Sequence, residues 1–178
     1  MDRERRANLI LTGFMGTGKT TVGRLVAERL GFAFVDTDAI IEERHGPIAS
    51  IFAERGEAAF REIERGLAQE LAARSGLVIS TGGRFMLDEA NAEVLGGTGT
   101  VCCLVAEPEE IHRRVSADRS PTERPLLTGP DPRARIVELL AERAPLYARF
   151  PQVATDGRTP SEIADEVVAQ MGIGPEGA

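Results

Sequence analysis

Apolar residues along the chain fall into short unbroken runs separated by stretches of helical periodicity. "NLILTG" (8–13), "FAFVDTD" (32–38), "LVISTGG" (77–83), "TVCCLVA" (100–106) and the shorter "PQVAT" (151–155) read as strands. Runs that do not alternate with polar residues are buried on both faces. With a helix after each strand they imply a three-layer α/β sandwich around a five-stranded parallel sheet.

The helices carry their own punctuation. One is expected from about Lys19 to Leu30, where Gly31 stops it. Short helices are expected through "AIIEERHG" and "IASIFAERG", and a longer one from about Glu57 to Arg74. "TPSE" (159–162) opens the last helix as a capping box, with Thr159 the cap, Pro160 in the first turn and Glu162 reaching back. The one long irregular stretch, 116–131, has the length of a lid or of a disordered loop. Residues 1–171 are read as a single domain and 172–178 as a flexible tail.

Composition narrows the function. The net charge of −7 disfavours a nucleic-acid partner, and no run approaches the length of a membrane span. No signal segment is evident, so a cytoplasmic protein is expected. It is further expected to be a monomer. Cys102 and Cys103 are neighbours on a strand and point to opposite faces, which disfavours a disulfide between them.

The candidate chemistry starts at "GFMGTGKT". Gly13, Gly16, Gly18, Lys19 and Thr20 fit G-x-x-x-x-G-K-[ST] between a strand and a helix, and Thr17 and Thr21 stand beside them. Backbone N–H groups and the helix start would cradle a nucleotide phosphate, Lys19 would neutralise the outer phosphates, and Thr20 would hold Mg2+. Lys19 is the sole lysine among the 21 basic residues. A compact ammonium is thus kept where a planar guanidinium would not fit the loop.

Asp36 and Asp38 fall at the carboxyl end of the second strand, where ligands bind in open parallel sheets. On an extended segment they would share a face, one serving the metal and the other a substrate hydroxyl, although "DTDAIIEE" would also start a helix well. Farther on, Phe60, Ile63, Leu67 and Leu71 make an apolar stripe bordered by Arg61, which can pair with Glu64. Arg143 projects from the middle of another stripe, Ile136, Leu139, Leu140 and Tyr147, and a buried cation there wants an anion, from the protein or from a ligand. Pro145 is expected to kink that helix.

Taken together, these motifs resemble the shikimate kinase family over almost the whole chain. The matching segments are the phosphate loop, D-T-D at Asp36 and Asp38, F-R-x-x-E at Phe60, Arg61 and Glu64, T-G-G at Thr81 to Gly83, R-P-L-L at Arg124 to Leu127 and R-x-P-L-Y at Arg143 to Tyr147. The resemblance implies a nucleoside-monophosphate-kinase-like fold with a mobile lid and transfer of the ATP γ-phosphoryl group to the 3-hydroxyl of shikimate, with Mg2+. By resemblance, Asp38 would act as base, Arg61 and Arg143 would grip the substrate carboxylate, and Gly82 and Gly83 would donate backbone contacts. Arg124 would descend with the lid. Arg158 and Pro160 would lie at the adenine with Arg119, for which Arg114 is the other candidate.

One position departs from the pattern. Where the family usually has a third glycine, this chain has Arg84. Were its φ positive, a side chain would cost about 1 kcal/mol. Arg84 either turns outward toward a carboxylate or joins the substrate-binding set, in which case the acceptor would be a different small hydroxy acid. A nucleotide-binding protein without kinase activity is the remaining alternative.

Overall fold

A computed structural model describes residues 7–118, 127 and 129–172. Leu9, Ile10 and Leu11 are fully buried because the strand that carries them, β1 (Asn8–Thr12), is flanked and covered on every side. It pairs in parallel with β3 (Leu77–Ser80) on one side and β4 (Gly99–Val105) on the other. Beyond these lie β2 (Ala33–Asp36) and β5 (Gln152–Ala154), giving the order β2-β3-β1-β4-β5 with every pairing parallel. The five strands, each followed by a helix, match the architecture read from the apolar runs.

Successive residues of β1 point into different layers. Leu9 and Leu11 pack with α1 (Lys19–Leu30) and α7 (Pro160–Gln170). Ile10 packs on the other face with α2 (Thr37–His45), α3 (Ile48–Ala72) and α4 (Glu89–Gly96). A third cluster, built on Phe14, Ile111, Ile136 and Tyr147, joins α5 (Pro108–Ala117) to α6 (Pro132–Tyr147) beside the end of β1. Each fully buried aliphatic side chain of these layers contributes about 1.5–3 kcal/mol.

The two helices expected on either side of Gly56 run end to end as α3, and the break is real. Gly56 has φ 82 and ψ 169, a conformation that only glycine adopts freely, so the axis changes direction there and Glu57 starts a fresh helical segment. The capping box of α7 forms as read, with Thr159 and Glu162 bonding reciprocally. Pro145 falls in the last turn of α6, which extends only to Tyr147, so the amide hydrogen that proline lacks is lost near an end. Cys102 and Cys103 are both buried and free. Among the described residues no helix is long and apolar enough to cross a membrane. The stretch expected to be a lid, with Arg119 and Arg124, falls largely outside the described residues.

Candidate active site

The loop after β1 is shaped by close approach. A Cβ on Gly13, which has φ 134, would stand 2.2 Å from the carbonyl oxygen of Leu104 on the neighbouring strand, so no side chain is possible. Thr17 is buried and donates its hydroxyl to the Phe14 carbonyl at 2.8 Å, bracing the turn. Gly18, at φ 95, hands the chain to α1, whose first turn has no acidic residue to compete for an anion. Lys19 lies back across the loop and donates to the carbonyls of Gly13 at 2.8 Å and Phe14 at 2.9 Å. Burial pushes its ammonium down to about 8, against the opposing pull of Asp38. Thr20 and Thr21 are exposed at the mouth.

The Thr20 hydroxyl donates to Asp36 Oδ2 at 3.1 Å. The other carboxylate oxygen of Asp36 accepts from the backbone N–H groups of Asp38 at 3.0 Å and Ala39 at 3.2 Å, so Asp36 is the N-cap of α2. Here the structure corrects the expectation of two aspartates on one face of an extended segment. The strand ends at Asp36 and Asp38 belongs to the first helical turn, because the Asp36 carboxylate satisfies amides that would otherwise have no partner. Asp38 is half-buried, and that burial, followed by the charge of Asp36, raises its carboxyl to about 6 although Lys19 pulls it down.

Gly82 belongs to the same geometry. A Cβ there would come within 2.6 Å of Asp38 Oδ1. Its N–H, expected to serve a substrate, instead donates to Thr37 Oγ1 at 3.0 Å. Gly82 therefore contributes space for the Asp38 carboxylate. Gly83 accepts the Tyr147 hydroxyl on its carbonyl at 2.6 Å.

Arg143 enters from α6 and is 4 % exposed. Its guanidinium lies 5.4 Å from the centroid of the Phe14 ring, and Nη1 stands 3.5 Å from the point a Gly83 Cβ would occupy. Its Nε is buried with no hydrogen-bond partner, and among the described residues no acid pairs with it. Burial pushes the neighbouring Tyr147 hydroxyl up to about 12, with Arg143 pulling the other way.

Arg61 is placed differently. It bonds to buried Glu64 at 2.6 Å and to Glu57 at 3.1 Å. Burial lifts the Glu64 carboxyl to about 7 despite that arginine. Arg84 has φ −103, so the side chain that replaces a glycine brings no backbone strain; it turns outward toward Glu57 at 3.7 Å. Arg61, Arg84, Glu57, Ala58, Leu87 and Asp88 line a cleft of about 410 Å³.

At the far side, Arg158 is occupied by its own chain, donating to the carbonyls of Ala154 and Glu162 and pairing with Glu166 at 2.6 Å. Pro160 is exposed as the first residue of α7. Arg114, the other adenine-side candidate, reaches from α5 to Gly16 O at 3.3 Å and to both oxygens of Thr155 at 3.0 Å, tying the phosphate loop to the segment after β5. Glu57, Thr37 and the Tyr147 hydroxyl carry no sequence signal that singles them out. Tyr147 is visible in the sequence as a member of an apolar stripe and as the end of R-x-P-L-Y, neither of which marks its hydroxyl.

A glycine-rich loop joining the central strand of a 2-3-1-4-5 parallel sheet to a helix, with a lysine across it and an aspartate opposite, defines a P-loop kinase. The chain belongs to the shikimate kinase family: the family model described as shikimate kinase matches residues 15–172. A shikimate kinase of Thermodesulfovibrio yellowstonii is 42% identical over 165 residues, covering 92% of this chain and 94% of that protein. One from Symbiobacterium thermophilum is 44% identical over 167 residues, 92% of this chain and 95% of the relative. The solved structure of shikimate kinase from Acinetobacter baumannii in complex with shikimate superposes with a TM-score of 0.85 at 36% identity, covering 94% of this chain and 93% of its own.

Proposed function

We propose that this chain transfers the γ-phosphoryl group of ATP to the 3-hydroxyl of shikimate. The observation that carries the reading is Arg143: a buried guanidinium with no acidic partner among the described residues, beside Gly83 and the phosphate loop. Such a cation is suited to the carboxylate of a bound acid. The solved relative from Acinetobacter baumannii holds shikimate, which supports that choice of acid.

In this reading Asp38 orients the acceptor hydroxyl and takes its proton as the oxygen attacks the γ-phosphorus and ADP leaves. A carboxyl raised to about 6 is still ionised at neutral pH and is a better base than an ordinary aspartate. Lys19 and the amides of the loop neutralise charge on the phosphates, which a loose phosphoryl-transfer transition state needs more than a strong base. Arg61 and Arg143 hold the carboxylate, with Gly83 beside them, and Arg158, Pro160 and Arg114 flank the adenine; Arg119 and Arg124 lie outside the described residues. The Thr20 hydroxyl and Asp36 carboxylate offer hard oxygen donors 3.1 Å apart at the mouth of the loop, a set that fits Mg2+. Held there, the ion would supply positive charge against the phosphates of the nucleotide. We further read the protein as a cytoplasmic monomer with one kinase domain.

The turn of Arg84 toward Glu57 favours shikimate over a more anionic acceptor. The test is ADP release with shikimate, quinate and gluconate in parallel. Turnover above the acceptor-free rate with shikimate alone is expected. Equal rates with and without it, in folded protein that binds ATP, sink the proposal.

A further inference from the structure

Arg61 holds two carboxylates of unequal standing. Glu64 bonds to Nη1 at 2.6 Å and its side chain is 2% exposed, a fixed support. The Glu57 side chain is 56% exposed and spreads one oxygen over Nε at 3.4 Å and Nη2 at 3.1 Å. The edge formed by Nε and Nη2 is one that a planar carboxylate takes with two parallel N–H···O bonds. Glu57 therefore occupies, loosely, a position that an incoming carboxylate needs.

A displaced Glu57 requires another partner, or it stands as a like charge beside the acceptor. Its same oxygen lies 3.7 Å from Arg84 Nη1. The other acid of the cleft, Asp88, is held by Arg65 at 2.9 Å and so does not compete for Arg84. Arg84 heads a 3-10 turn (Phe85–Leu87) with ordinary backbone angles, which fixes where its side chain departs. Glu57 follows the break at Gly56 and starts a helical segment, a place where an acid is stabilised whichever arginine its carboxylate faces.

We propose that Arg84 is a positioning residue that receives Glu57 when the carboxylate of the acceptor takes over the Nε edge of Arg61. The exchange rests on the reading of Arg61 as the partner of that carboxylate. It gives the arginine that replaces a glycine a role in acceptor affinity without contact with the acceptor. Arg84 also keeps the local charge balanced, with Arg61, Arg84 and Arg143 facing Glu64, Glu57 and the carboxylate of the bound acid.

A double-mutant cycle reads this directly. Shikimate is titrated calorimetrically into the ADP-bound parent chain and into Arg84→Gln, Glu57→Gln and the double variant, with KM and kcat measured alongside. An exposed pair supports a factor of about two to five. Arg84→Gln is therefore expected to weaken acceptor binding about threefold, with the loss concentrated in KM, and Arg84→Lys to restore most of it. Glu57→Gln is expected to bind at least as tightly as the parent, and adding Arg84→Gln to it should change nothing further. An equal loss in both backgrounds means that Arg84 touches the acceptor itself and overturns the proposal, as does no loss in either. A folded parent that binds ADP but not shikimate removes the functional reading and this inference with it, whereas failed coupling in a parent that binds shikimate removes only the inference.

Discussion

Replacing Arg143 by methionine should stabilise the free protein while crippling acceptor binding. A buried cation without an acid costs several kcal/mol, of which the Phe14 ring at 5.4 Å returns about 0.5–2 kcal/mol. Methionine fills most of the volume with no charge to desolvate, so a gain of about 1–2 kcal/mol is expected, a rise of about 2–8 °C in Tm for a chain of this size. The same change removes a charged hydrogen-bond donor from the carboxylate, worth about 1.5–3 kcal/mol, or roughly 10- to 100-fold in Kd. Thermal unfolding without ligands and shikimate titration with ADP present measure the two effects separately. A variant that melts below the parent refutes the uncompensated charge. Unchanged affinity refutes the placement of the carboxylate.

Three further outcomes follow from the same geometry. Gly82→Ala puts a methyl group 2.6 Å from the Asp38 carboxylate and should lower kcat about tenfold or more by displacing it, with little change in melting temperature. The pH profile of kcat/KM should rise through about 6 as Asp38 loses its proton and fall through about 8 as Lys19 loses its own; a profile flat from about 5 to 9 contradicts both assignments. Thr159→Ala removes the cap of α7 and should cost about 1 kcal/mol in denaturant unfolding, with serine at that position recovering most of it.

The parts of the fold legible in sequence are those fixed by local spacing. The bounds of α1, the break at Gly56, the capping box of α7 and the apolar strands all follow from a few adjacent residues and their periods. Arg143 is also readable, because a cation on an apolar stripe has nowhere to go but inward. What escapes is competition for partners. Strand β2 ends at Asp36 because a cap outcompetes one more extended residue, and period alone does not weigh those two. The Gly82 N–H is taken by Thr37, 45 residues away, and the Gly83 carbonyl by Tyr147, 64 residues away. Such pairings exist only once the sheet has brought the segments together. The outward turn of Arg84 likewise depends on a backbone φ that its own neighbours do not dictate.

Lys19 and Asp38 show why the loop and the aspartate work as one unit. Burial acts on each in the direction of neutrality, lowering the lysine to about 8 and raising the aspartate to about 6. Each pulls the other back toward its charged form, so their attraction keeps both ionised at neutral pH in surroundings that favour neither charge. This leaves the lysine charged beside the phosphate loop and the carboxylate more basic than usual, without a strong base. Arg61 and Arg143 complement each other in a comparable way. Arg61 is held in register by Glu64, and Arg143 is left without an acid among the described residues. A site with both arginines paired would be stiff but indifferent to an incoming acid, and one with neither paired would carry two buried charges at several kcal/mol each. One of each gives a fixed guide and an open electrostatic demand, the combination that the proposed grip on a carboxylic acid requires.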